Sequence, residues 1–310
     1  MMQKEEFSRY LLERIMDYMP EEYAGAKAEI MPVKKMNGVV LHGLRILKEE
    51  TQITPIFYVN DLYWKLQDGV SVQDICREVA DSYVLAMEDS QDLRMTDFTN
   101  FDLHKDNVYV QLVSGSLNQE LLKTCPYKTE LDLAKIYYVE LGSGATMKVT
   151  GDLQRQWEIS TEELERIAMK NTIEKKEAFL QPMLISMIDF RQCEVNYLQE
   201  ENLLDDSMFV LTNKDKCFGA AALIYPEVKE KIADMIGGDY TILPSSVHEC
   251  IILKETSMDN YTLGKMVREV NRTSVDEKEW LSDCAYRYYA KDRKLEILPG
   301  SKPREKEAQR

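Results

Sequence analysis

An α+β fold is predicted by this sequence: mixed or antiparallel sheets covered by amphipathic helices, arranged as two lobes. Apolar residues return at helical spacing in several segments, as at Phe7, Leu11, Ile15 and Tyr18, which gives a helix one stripe to bury. Between such segments lie β-branched and aromatic runs, such as residues 39–47 and 131–141, which suit a half-buried pleated surface. The third observation is residues 225–253, YPEVKEKIADMIGGDYTILPSSVHECIIL, where a helix, its stop and a β-hairpin follow one another. Pro226 fits a first helical position, and Val228, Ile232, Met235 and Ile236 share one face. Gly237 and Gly238 supply left-handed backbone to end that helix, and residues 240–243 and 247–253 then read as strands joined across Pro244-Ser245-Ser246.

The other elements follow in order. Residues 4–19 form a helix that Pro20 ends. Residues 39–47 and 54–59 read as a hairpin around Lys48-Glu49-Glu50, and Ser71 caps a helix that carries Ile75, Val79, Tyr83 and Ala86 on its apolar face. Residues 88–107 are acidic and poor in aliphatic side chains, which suits a surface connection. A boundary is placed there, with lobes at 1–95 and 96–300 and a mobile tail at 301–310. In the second lobe, residues 108–113 and 131–141 are strands, 142–144 a turn, and 146–150 a strand pairing back. Ser160 with Glu163 forms a capping box that opens a helix through Leu164, Ile167 and Ala168. Residues 179–190 fit either a helix or a buried strand. Residues 209–211 form a strand, and a turn at 213–219 leads through 220–225 to the fragment described first. After it come helices at 261–271 and 277–287 and a strand at 294–298.

A chain of 310 residues is long enough for two domains with real cores. Its formal net charge of -15 opposes condensation on phosphate backbones or anionic lipid, so neither nucleic acid nor a membrane is the expected partner. The opening MMQKEEFSRYLLER places Glu and Arg where a signal core would be apolar, and no apolar run approaches bilayer length. A cytoplasmic protein is expected. The six cysteines are scattered without a Cys-x-x-Cys pair, and histidine occurs only at His42, His104 and His248, so neither a metal site nor a disulfide framework is expected. No Gly-x-x-x-x-Gly-Lys-Ser/Thr, Gly-x-Gly-x-x-Gly or Gly-x-Ser-x-Gly string occurs, and no cofactor is expected.

Two polar groupings invite a chemical reading. Ser245, Ser246, His248 and Glu249 contain the residue types of a nucleophile, a base and an orienting carboxylate. If residues 247–253 are a strand, however, His248 and Glu249 point to opposite faces and cannot pair. His-Glu-Cys-Ile-Ile also lacks the second histidine of a zinc protease motif. The simpler expectation is a turn with a hydrogen-bonded structural histidine. His42 shares a strand face with Val40, Leu44 and Ile46 and is expected in the core, and His104, in the polar connection, is expected to be exposed. The second grouping is Asn271 and Arg272 at a helix end with Asp283 and Arg287 on the next helix, a possible anion pocket, since a guanidinium forks onto carboxylate or phosphate.

Several strings resemble a bacterial family known as domain of unknown function 5688. They are Asn118-Gln119-Glu120-Leu121-Leu122, Cys125-Pro126-Tyr127, Leu131-Asp132-Leu133-Ala134, the run LPSSVHE at 243–249, MVREVNRT at 266–273, Leu281-Ser282-Asp283 and Tyr286-Arg287-Tyr288. The resemblance implies a cytoplasmic bacterial protein and carries over no catalytic residue. Cys125-Pro126-Tyr127 departs from the family's Val-Pro-His, so a role of that histidine would be missing here. Acidic charge and the lack of an assembled catalytic set lead to the expectation of a non-catalytic binding or regulatory module that recognises a protein or a small ligand. The alternative is a hydrolase or transferase using His248 with a partner distant in sequence.

Overall fold

The structure, a computed structural model, describes every residue except 1, 49–53, 90–96, 142–144, 188–194, 200–205, 255 and 304–310. The expected turn at 142–144, part of the Lys48-Glu49-Glu50 turn, residues 188–190, the boundary near 95 and most of the expected tail lie outside the described residues. Contacts divide the chain into two compact units, Met1–Asp97 and Phe98–Arg310. Every strand pair among the described residues is antiparallel, and no described helix is long and apolar enough to cross a membrane.

The first unit opens with helix α1, Lys4–Arg14, continued by a 3-10 turn over Ile15–Tyr18. Phe7, Leu11 and Ile15 are fully buried, each contributing about 2 kcal/mol of transfer free energy. Strands β1 (Lys27–Lys34), β2 (Val40–Leu47) and β3 (Ile56–Tyr58) form a sheet in that order. The expected β2–β3 pair is present, with Gly43 opposite Tyr58. β1 is an addition: no residue of its KAEIMPVK sequence is fully buried and charged residues interrupt its apolar ones, so its apolar signal is thin. Helix α2, Val59–Gln67, is another addition, because Val59 starts a helix that buries itself and Leu62 instead of closing a strand. Helix α3, Val72–Asp89, is capped as expected, Ser71 Oγ accepting from the Asp74 N–H at 3.1 Å. His42 departs from expectation. Leu44 and Ile46 on its strand face are buried, but Val40 and His42 are exposed, because the helices cover only the far end of that face.

The second unit begins with α4, Phe101–His104. Its His104 is buried, not exposed, with its ring stacked 5.8 Å from Phe98 and 6.4 Å from Trp157. Strands β4 (Val108–Ser114), β5 (Lys128–Glu130), β6 (Leu133–Glu140) and β7 (Thr146–Lys148) make one sheet, in which β6 pairs with each of the other three. The short helices α5 (Gln119–Leu122) and α6 (Gly151–Gln156) flank it. Helix α7, Thr161–Lys175, starts at Ser160, whose Oγ accepts from the Glu163 N–H at 3.1 Å, while the Glu163 carboxylate pairs with Arg166. α7 lies along the open edge of β4. Thr172 Oγ1 accepts from the Val110 N–H at 2.9 Å, and Asn171 Nδ2 donates to the Val108 carbonyl at 3.0 Å.

The 179–190 run resolves into both alternatives, strand β8 (Ala178–Pro182) followed by helix α8 (Met183–Met187). β8 is the edge of a six-stranded sheet in the order β13-β12-β10-β11-β9-β8. Its other strands are β9 (Met208–Asn213), β10 (Tyr240–Pro244), β11 (Cys250–Leu253), β12 (Tyr286–Tyr289) and β13 (Lys294–Ile297). Helix α9, Pro226–Ile236, has its proline in the first turn and ends at Gly237, whose φ of 86° is left-handed. One face of this sheet joins the main core with Leu180, Leu211, Ile242, Ile252 and Tyr286. Helix α10, Asn260–Ser274, packs Leu263 and Val267 with Leu243, Leu253 and Leu298.

Two expectations fail here. Residues 277–287 are not a helix: a 3-10 turn over Glu277–Glu279 gives way to β12, where Tyr286 and Tyr288 are buried and Arg287 and Tyr289 are only half-buried. The period is two, not 3.6. Strand β11 begins at Cys250 rather than 247, because the Ser245 and Ser246 N–H groups turn back onto the Glu249 carbonyl and the Val247 N–H donates to the Glu279 carbonyl at 2.9 Å. At the other end of the unit, Ser301 is fully buried, its Oγ donating to the Leu298 carbonyl at 2.8 Å.

Candidate functional site

Because residues 245–249 form a loop, strand alternation does not govern His248 and Glu249. The His248 ring is held by other contacts. Its Nδ1 accepts the Phe218 N–H at 3.2 Å, and the ring stacks on Phe218 at 5.7 Å with planes 13° apart. An accepting Nδ1 puts the proton of the neutral ring on Nε2, which lies 3.9 Å from Glu279 Oε1. Ser246 Oγ accepts the His248 N–H at 3.0 Å, and Ser245 contributes its backbone N–H to the same loop. Neither serine is presented to the ring as a nucleophile. Cys217, beside Phe218, is no better placed chemically: burial raises its thiol pKa and nearby Lys176 only partly opposes this, the reverse of an activated thiolate. His248→Phe is therefore expected to keep the stacking, strand the Phe218 N–H and cost about 1–2 kcal/mol; denaturant unfolding measures it, and an unchanged midpoint would contradict the structural role.

Glu249 carries a second expectation. Burial raises its carboxyl pKa, with His248 and Lys216 pulling it partly back. The fold then holds that proton more tightly than the unfolded chain, so this group's contribution falls as pH rises from about 4 through the folded value. Glu249→Gln removes the titration. The variant should match the parent near pH 4 and exceed it at pH 7.5, by under about 1 kcal/mol because the group is partly solvated.

The expected anion pocket is not assembled. Asn271 is buried inside α10, donating through Nδ2 to the Ser282 carbonyl at 3.0 Å and to Asp283 Oδ1 at 3.2 Å. Arg272 points to solvent, while Arg287 sits on β12 with Nη1 3.4 Å from Thr241 Oγ1 and Nε 3.9 Å from Asp239. The arginine that does approach Asp283 is Arg268, whose Nη1 donates to the carbonyls of Asp283 at 3.1 Å and Ser301 at 2.8 Å.

Two polar nodes pin the second unit. Asp132 accepts the Ser282 hydroxyl through Oδ2 and the Tyr286 hydroxyl through Oδ1, both at 2.7 Å. Lys176 donates to both oxygens of Glu140 at 3.0 and 2.9 Å and to Asp215 at 2.7 Å, with its ammonium 4.8 Å above the Tyr109 ring. Burial lowers the Lys176 pKa, but the hydrogen bonds to Asp215 and Glu140 outweigh it and the net shift is upward. The charged groups of each node are engaged with one another, while Asn271 Oδ1 beside the Asp132 node has no hydrogen-bond partner among the described residues.

A cavity of about 150 Å³ at β8 and β9 is different. It is lined by Glu177, Phe179, Gln181, Asn196, Gln199, Lys214 and Lys216. Glu177, Phe179 and Gln181 project from one face of the chain entering and forming β8, opposite Lys214, Thr212 and Val210. Gln181 is 3% exposed, yet its Oε1 has no hydrogen-bond partner among the described residues. Glu177 Oε1 receives the Gln199 side-chain amide and, at 3.5 Å, that of Asn196. Lys214 makes no ion pair among the described residues, although its N–H meets the Glu177 carbonyl at 2.9 Å.

The profile of a family described as Family of unknown function (DUF5688) matches residues 4–290. The chain belongs to this family. No curated protein and no solved structure matches it. Strings that carry the DUF5688 resemblance meet in space at the Asp132 node, since Asp132, Ser282, Tyr286 and Asn271 come from four of them. Tyr127 lines a cleft of about 400 Å³ next to Asp132. The β8–β9 cavity lies outside those strings. A glutamine inside the apolar run AFLQPMLI was its one local sign.

Proposed function

We propose that this DUF5688 protein is a non-catalytic binding or regulatory module, and that its ligand is a small polar molecule held in the cavity of β8 and β9. The observation that carries the reading is the buried, unpartnered carboxamide oxygen of Gln181. Such an acceptor costs about 1–3 kcal/mol when empty, and a donor from a ligand or a bound water relieves it. The loop of Ser245, Ser246 and His248 supports the hydrolase or transferase alternative less well, because its groups are engaged with backbone and ring neighbours. A bacterial cytoplasm suits the family resemblance, and the free thiols at Cys76, Cys125, Cys217, Cys250 and Cys284 suit a reducing compartment.

Thermal unfolding against a library of small polar metabolites tests this. A true ligand at one hundred times its Kd stabilises by about 2.7 kcal/mol, and the gain should vanish in Gln181→Leu. A library without any stabilising member, together with a Gln181→Leu protein that melts lower than the parent, would remove the proposal.

A further inference from the structure

Resting on the cavity of β8 and β9 as the ligand site, we infer that it takes a small zwitterion: a short amino acid with one ammonium and one carboxylate. The polar groups lining the cavity fall into two kinds. Gln181 Oε1 and Glu177 Oε2 accept no hydrogen bond among the described residues, so one part of the wall calls for donors. The Phe179 side chain lies between them on the same strand face, where its ring can meet an ammonium or the ligand's methylene groups. Lys214, which makes no ion pair among the described residues, calls for an acidic group at the other end.

A plain anion would satisfy Lys214 and set its oxygens against Gln181 and Glu177. A plain cation would satisfy those acceptors and meet the Lys214 ammonium. A molecule carrying both charges answers both parts of the wall. Size narrows the class further, since a cavity of about 150 Å³ holds the volume of about five waters. Glu177 and Lys214 sit side by side without an ion pair, because the Glu177 carboxylate is turned towards Gln199 and Asn196. The two poles therefore stay separate and available.

Calorimetric titration of the full chain with glycine, β-alanine, 4-aminobutyrate and 5-aminovalerate, beside butyrate, butylamine and inorganic phosphate, tests the class. At least one zwitterion should bind ten-fold or more tightly than the single-charge probes, and Lys214→Met should weaken it by a similar factor. Gln181→Leu should abolish binding while raising the melting temperature of the ligand-free protein, which a purely structural glutamine would not do. Phosphate or butyrate binding as tightly as the zwitterions would overturn the class and leave the site in place, as would silence from every probe with Gln181→Leu still melting higher. Silence from every probe with Gln181→Leu melting lower would remove the site as well.

Discussion

Replacing Gly219 by alanine is expected to destabilise the second unit by about 3 kcal/mol, the upper range for forcing one methyl into a packed interior. A Cβ at this position would stand 2.2 Å from Thr212 Oγ1, 2.5 Å from the Asn213 nitrogen and 2.6 Å from the His248 carbonyl oxygen. Two of those atoms are backbone, so no rotamer change relieves the clash. Thr212 Oγ1 also donates to the His248 carbonyl at 2.8 Å, and the added methyl would drive that pair apart. In a unit of this size the loss corresponds to roughly 6–12 °C in Tm. Denaturant titration followed by near-ultraviolet circular dichroism should show a lower midpoint with the slope preserved; a midpoint within experimental error of the parent would mean that β9 and the 245–249 loop are less tightly apposed than described.

Asp132→Ala is expected to have an effect of similar size. Its carboxylate serves two hydroxyls from residues 150 or more positions away, and Tyr286 is fully buried. Burial, reinforced by Asp132, already pushes the Tyr286 phenol pKa well above its usual value, so the hydroxyl stays a donor and is left without its acceptor. The cost of a stranded buried donor plus a lost charged hydrogen bond is about 3 kcal/mol. Asp132→Asn keeps one carbonyl oxygen and should lose roughly half as much. Equal losses in the two variants would show that charge, not hydrogen bonding, holds the node.

Signals confined to a few neighbouring residues were legible in the sequence. Pro226 and Gly237 bracket α9, and Ser71 and Ser160 cap α3 and α7 as their side chains predict. What the sequence concealed depended on distant partners. β1 has too much charge to advertise itself, yet pairs along its whole length with β2. Residues 277–287 can be drawn with a helical stripe, but pairing of Tyr286 with Ile242 and Ile297 makes them a strand. Val247, His248 and Glu249 read as strand by composition, while the Glu279 carbonyl and the Ser246 hydroxyl bend them into a loop. His42 and His104 exchanged their expected environments for the same reason, since burial is decided by what packs on top. The cavity was the least legible feature. Gln181 stands out only once its oxygen is known to lack a partner, and no local pattern encodes that.

The seam between α7 and β4 limits how this protein can meet another. A strand that recruits partners by β-augmentation must offer free N–H and C=O groups on its rim. On β4 the Val110 N–H is occupied by Thr172 and the Val108 carbonyl by Asn171, two side chains of the protein's own helix. An incoming peptide would have to displace them and strand both polar side chains, so this rim is guarded against fibrous self-association as well as against foreign strands. Thr172→Val with Asn171→Leu would unlock it, turning a closed boundary into an adhesive one.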